Sequence, residues 1–187
     1  MGRKILIAIT GASGSIYPAQ MIDKLLQLKD QWEALAVVAT DNAMEVWQVE
    51  MQETFQQGEG VQYFGKNDFS APFASGSGQY DTMIIAPCSM GTLGRIANGI
   101  SDDLITRAAD VVLKEKRKLV CVVRETPYNL IHLKNMTAIT EAGGIICPAT
   151  PSFYSNPQTI DEVAYTVVHR ALHLAGINID GYKWQEN

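Results

Sequence analysis

The sequence predicts an α/β fold, a mostly parallel β-sheet between two layers of helices, and two patterns carry that expectation. Short continuous runs of Ile, Val and Leu recur along the chain, as strands covered on both faces require. Helix-length segments with apolar residues three and four apart separate these runs, and a strand, helix, strand alternation builds a parallel sheet with helices on both sides.

The first run, Lys4–Ile9, leads through Thr10-Gly11-Ala12-Ser13-Gly14-Ser15 into a helix over Tyr17–Leu28. The second, Leu35–Ala39, precedes a helix over Asn42–Met51, in which Asn42 and Glu45 resemble a capping pair. Gln52–Gln79 breaks the rhythm with five glycines, Pro72 and several polar residues, and predicts an excursion loop with one short strand near Val61–Phe64. Met83–Ala86 is the third run; a helix start follows it, and a further helix covers Asp103–Lys116. Leu119–Val123 precedes a helix over Leu130–Ala142 that Gly143-Gly144 stops. Ile145–Cys147 and a helix over Ile160–Leu174 complete the series. No linker divides the chain, so residues 1–187 are expected to form one domain.

Fifteen Lys and Arg against twenty Asp and Glu give a net charge of −5, which disfavours nucleic acid and anionic membrane as partners, since both are bound through a basic face. The one basic run, Lys114 to Lys118, falls where a helix should end, and cations there complement the helix dipole. Cys88, Cys121 and Cys147 lie in or beside apolar runs and read as reduced core thiols of a cytoplasmic protein. The apolar run after Arg3 and Lys4 ends at Ile9, too short for a signal segment or a membrane span.

Ligands of open parallel sheets bind beyond the carboxyl ends of the strands, and four loops there carry candidate chemistry. Thr10–Ser15 is either an anion cradle at a helix start or a plain tight turn; it lacks the Walker lysine and the dinucleotide fingerprint, which disfavours NAD. Pro87-Cys88-Ser89-Met90-Gly91-Thr92 offers hydroxyls and backbone donors, with Cys88 as a nucleophile or a buried structural thiol. Arg124-Glu125-Thr126-Pro127 puts a carboxylate at a strand's ligand end, as half of a structural ion pair or as a catalytic group. Pro148–Tyr154 is a stiff loop with an aromatic pair, a wall for an apolar substrate or a docked segment. Arg107 and Lys114 stand two helical turns apart on one face that could bind a phosphate. His132, His169 and His173 fall in helices without a zincin pattern, so no metal is expected.

Together these residues resemble the UbiX-like flavin prenyltransferases, formerly described as aromatic acid decarboxylase subunits. The resemblance rests on Gly11-Ala12-Ser13-Gly14, Ala74-Ser75-Gly76-Ser77, Pro87-Cys88-Ser89 with Thr92, Arg107-Ala108-Ala109-Asp110-Val111 with Leu113-Lys114-Glu115, Arg124-Glu125-Thr126-Pro127, and Phe153-Tyr154 with Pro157, in that order over nearly the whole chain. It implies a Rossmann-like flavoprotein that binds FMN and forms a homo-oligomer, commonly a dodecamer, with active sites where subunits meet. The implied reaction joins the dimethylallyl group of dimethylallyl phosphate to N5 of reduced FMN, then closes a fourth ring, without a metal; the prenylated FMN serves UbiD-like decarboxylases.

Carried over by position, the resemblance implies that Gly11, Ala12, Ser13, Thr40, Ser89, Met90, Gly91, Thr92 and Arg124 hold FMN, with the Ser13 hydroxyl near N5. It makes Ser13 and Glu125 catalytic, and assigns Arg107, Lys114, Tyr154 and Arg170 to the donor phosphate. Thr40 stands where many members have Ser, and Phe69 where some have Trp beside the prenyl site; Phe keeps a π face that stabilises an allylic cation more weakly. Two other readings are a flavin-dependent cysteine decarboxylase, which expects an early catalytic His although this chain has none before His132, and a non-catalytic FMN carrier, which has no use for Glu125, Lys114 and Tyr154.

Overall fold

The computed structural model describes residues 2–180; of the expected domain over 1–187, Met1 and 181–187 lie outside the described residues. Six strands, β1 (Arg3–Ile9), β2 (Trp32–Ala39), β3 (Gln62–Gly65), β4 (Thr82–Cys88), β5 (Lys118–Val123) and β6 (Ile145–Pro148), form one sheet in the order β3-β2-β1-β4-β5-β6. Every neighbouring pair is parallel. Six helices connect or follow them: α1 (Ile16–Gln27), α2 (Asp41–Met51), α3 (Met90–Ala97), α4 (Leu104–Lys114), α5 (Leu130–Glu141) and α6 (Ile160–Ala175).

Alternation along the strands divides the core in two. Ile5, Ile7, Ile84 and Val122 face α1 and α6 through Met21, Leu25, Val168 and Leu172. Leu6, Ala8, Met83 and Ile85 face α3 and α4 through Leu93, Ile105 and Ala108. Because strand side chains point alternately to opposite faces, continuous apolar runs feed both layers. Each fully buried Ile or Leu contributes roughly 1.5–3 kcal/mol, and truncating one, as in Ile84→Ala, costs about 2–5 kcal/mol.

Three local details differ from expectation. Asn42 is not the cap of α2: Thr40 leaves β2 extended (φ −78°, ψ 159°), and its hydroxyl accepts from the Ala43 N–H at 3.1 Å, so the cap falls at the first side-chain oxygen with the required backbone. Helix α4 stops at Lys114, and Lys116 takes a left-handed φ of 56°. The excursion segment is also well packed. Phe73 is fully buried between Phe64 and Tyr80, edge-on at 5.0 and 5.2 Å, and a side chain at Gly78 would collide with the Pro72 carbonyl oxygen.

Candidate active site

β1 and β4 are neighbours, yet the chain leaves β1 toward β2 and β3 while β4 leads to β5 and β6. That reversal opens a crevice at the strand ends, and a cleft of ≈ 410 Å³ lies there. Gly11, Thr40, Ser89, Gly91 and Thr92, all expected at the flavin, line it together with Thr10, Asp41, Asn42, Lys66, Arg95 and Asp103. The Thr10 hydroxyl joins the first and fourth strand ends, donating to the Pro87 carbonyl at 2.6 Å and accepting from the Ser89 N–H at 2.9 Å. Ser89 caps α3 by accepting from the Thr92 N–H. A Cβ at Gly11 would stand 2.7 Å from the Asn42 Cβ, so only glycine lets this loop lie against the first turn of α2. Met90 is buried in the α3–α4 core and does not line the cleft.

The loop expected to cradle an anion already holds one. Glu50, in the last turn of α2, accepts from the Gly14 N–H at 2.9 Å and from the Ser15 N–H at 2.7 Å. Partial burial works against its charged form, but hydrogen bonds from the Ser13 hydroxyl and from Ser15 and Gly14 outweigh it and hold its carboxyl below the ordinary value. An external phosphate at the start of α1 would have to displace this carboxylate. Sequence reading missed Glu50 because no motif surrounds it; its contacts are made across 35 and 36 residues.

Beside this loop Tyr17 is half-buried, which raises its phenol pKa, while Arg124 lowers it and Glu50 raises it further. Arg124, Tyr17 and Glu50 therefore share one electrostatic neighbourhood with Ser13. The Arg124 backbone N–H donates to the Cys88 carbonyl at 3.3 Å, drawing the residue after β5 against the end of β4. Glu125 is exposed and accepts from the N–H of its neighbour Thr126 at 2.9 Å. Among the described residues no ion pair joins Arg124 to Glu125, so the structural-pair reading of that dipeptide does not hold.

Other expected residues stand apart from the cleft. Arg107 donates from Nε to the Ala74 carbonyl at 3.0 Å and pairs with Asp110 at 3.1 Å; Lys114 pairs with Glu115 at 2.6 Å. Lys114 ends α4 four residues before β5 begins, at the amino edge of the sheet and about 10 Å along the helix from Arg107. Phe69 is half-exposed on the turn after β3, and Tyr154 is exposed after β6. Arg170 is exposed on α6, near enough to Cys147 to lower the thiol's pKa against the stronger effect of burial. One chain thus gathers Gly11, Thr40, Ser89, Gly91 and Thr92 at the cleft, whereas Ala12, Ser13, Met90, Arg124 and the residues expected at the donor phosphate are not among its lining.

Cys88 is fully buried, and the Cys121 contact together with burial pushes its thiol well above the ordinary value, so it is no nucleophile. His132 belongs to the capping box of α5.

The flavoprotein family model matches residues 1–171. A flavin prenyltransferase UbiX of Neisseria meningitidis is 43% identical over 189 residues, covering 99% of this chain and 98% of its own. The chain belongs to the UbiX flavin prenyltransferase family. A crystal structure of AnUbiX in complex with FMN and dimethylallyl pyrophosphate is 36% identical with a TM-score of 0.86, over 98% of this chain and 100% of its own. A dodecameric FMN-dependent UbiX-like decarboxylase from Escherichia coli O157:H7 is 35% identical with a TM-score of 0.89, over 97% of this chain and 99% of its own. The six-stranded flavoprotein sheet, expected to be mostly parallel and found wholly parallel, is thus the UbiX fold.

Proposed function

We propose that the protein is a flavin prenyltransferase, taking the dimethylallyl group from dimethylallyl phosphate to N5 of reduced FMN and then closing a ring onto the neighbouring flavin carbon. The observation that carries this reading is the hydroxyl-lined cleft at the sheet's switch point, in a chain that aligns end to end with a UbiX structure holding FMN and a dimethylallyl donor. The cleft suits a flavin phosphate and its ribityl chain: Thr40 and Ser89 present two capped helix starts, and Gly11 leaves backbone within reach. FMN when bound supplies the nucleophilic nitrogen. No helix among the described residues is long and apolar enough to cross a membrane.

Gly11, Ala12, Ser13, Thr40, Ser89 to Thr92 and Arg124 orient the flavin. The Ser13 hydroxyl, hydrogen-bonded to Glu50, can pass a proton from the flavin edge to that carboxylate, a two-residue relay with its acceptor already ionised. Glu125, a carboxylate with no cation paired to it among the described residues, serves proton transfer as phosphate departs. Arg107, Lys114, Tyr154 and Arg170 take the donor phosphate, where fixed cations offset the charge that develops on the leaving group.

Because Arg107 and Lys114 lie along α4, away from the cleft of their own chain, the site is completed by a neighbouring subunit. Exposed Leu130, Ile131 and Leu133 on α5 give an apolar face suited to self-association, and the related Escherichia coli protein is dodecameric. The protein works in the cytoplasm, in keeping with its three free thiols, and its prenylated FMN passes to a UbiD-like decarboxylase. Anaerobic assay of phosphate release tests the reaction: dimethylallyl phosphate should yield phosphate only with reduced FMN present, and release that is indifferent to flavin would refute it.

A further inference from the structure

Of the helix starts around the cleft, those of α1 and α4 already carry a carboxylate, Glu50 on the α1 amides and Asp103 as the α4 cap, while those of α2 and α3 are capped by hydroxyls. Thr40 and Ser89, the caps of α2 and α3, line the cleft. Two cations share that wall. Arg95 is already engaged, its Nη1 donating to Asp102 at 2.7 Å and to Asp103 at 2.8 Å, which ties α3 to the start of α4. Among the described residues Lys66 is held by one carboxylate, that of Asp41, whose side chain is 72% exposed. The main chain of Lys66 is fixed beyond the end of β3, where its carbonyl accepts from the Leu104 N–H at 2.7 Å, so its side chain can move alone. Asp41 is the first residue of α2. Its carboxylate therefore combines, in one exposed group, an anion at a helix start and an anion on the cleft's available lysine.

We propose that Lys66 is the cation that receives the phosphate of FMN, and that Asp41 stands in for that phosphate until the cofactor enters. This rests on the flavin reading above. A phosphate carries more charge than a carboxylate and offers three acceptor oxygens, so it can engage Lys66 and the capped starts of α2 and α3 together. Asp41 can turn to water at little cost, because most of its side chain is already hydrated.

The test compares FMN with riboflavin, which lacks the phosphate, by flavin fluorescence quenching on the intact protein, its Lys66→Gln variant and its Asp41→Asn variant. Lys66→Gln should raise the Kd for FMN about tenfold and leave riboflavin unchanged. Asp41→Asn should lower the Kd for FMN severalfold, again without moving riboflavin. An equal loss for both ligands in Lys66→Gln, an unchanged FMN Kd, or weaker FMN binding in Asp41→Asn would each overturn the assignment while leaving the flavin reading intact. Wild-type protein that bound neither flavin would overturn that reading and the assignment with it.

Discussion

Replacing Glu50 separates its structural role from its chemical one. Glu50→Ala removes an ionised acceptor from two backbone N–H groups, at 2.9 and 2.7 Å, and from the Ser13 hydroxyl. Hydrogen bonds to a charged group contribute about 1.5–3 kcal/mol each when buried, but Glu50 is exposed and water can reach the freed donors, so a total of about 1–2 kcal/mol is expected after that discount. For a chain of this size each kcal/mol shifts Tm by about 2–4 °C, which places the drop at roughly 2–8 °C at pH 7. Because the folded carboxyl lies below its ordinary value of 4.5, this stabilisation is fully present above pH 4.5 and is lost as pH falls through the lower folded value. Thermal melts of wild type and variant should therefore converge as the buffer is taken below pH 4.5. Glu50→Gln keeps one acceptor and should lose less stability, yet it removes the proton acceptor and should slow prenyl transfer by about 10²-fold or more. A wild-type melting temperature for Glu50→Ala at pH 7, or a gap that persists unchanged in acid, would show that the ionised Glu50 does not hold this loop.

Glu125→Gln should bind FMN with wild-type affinity and fail to prenylate it; normal turnover measured on the extracted flavin would remove Glu125 from the reaction. Arg107→Ala should raise the half-saturating concentration of dimethylallyl phosphate and leave the Kd for FMN alone, whereas lost flavin binding would move Arg107 to the cofactor. The three buried thiols, with Cys88 and Cys147 both raised above the ordinary value, should resist a thiol-specific chromophoric reagent at pH 7 and react only on unfolding. A rapid phase in the native protein would contradict their burial.

The strands and most helices were legible because burial on both sheet faces leaves continuous apolar runs, as in Ile5–Ile9 and Leu119–Val123, and the helices between them keep a regular apolar stripe. The packing of the excursion segment was not, since Phe64, Phe73 and Tyr80 meet through the tertiary fold and obey no period. Within the cleft, Gly11, Ser89 and Thr92 were readable from position, as they follow strands directly and flank a helix start; Thr40 came only with the family resemblance, since the capping pattern pointed to Asn42. Glu50 and Lys66 were not, because a polar side chain late in an amphipathic helix or after an edge strand carries no local signal of what it will touch. The same limit applies to Arg107 and Lys114: their shared helix face was visible in the spacing, but their distance from the cleft follows from the direction in which α4 runs.

Prenyl transfer to the flavin is read out by mass spectrometry of flavin extracted after anaerobic incubation of the protein with FMN, a reductant and dimethylallyl phosphate. The protein is expected to return flavin heavier by one dimethylallyl unit, absent when the donor is omitted. Unmodified flavin, recovered from protein shown to bind FMN and given the monophosphate or the diphosphate donor, would contradict it.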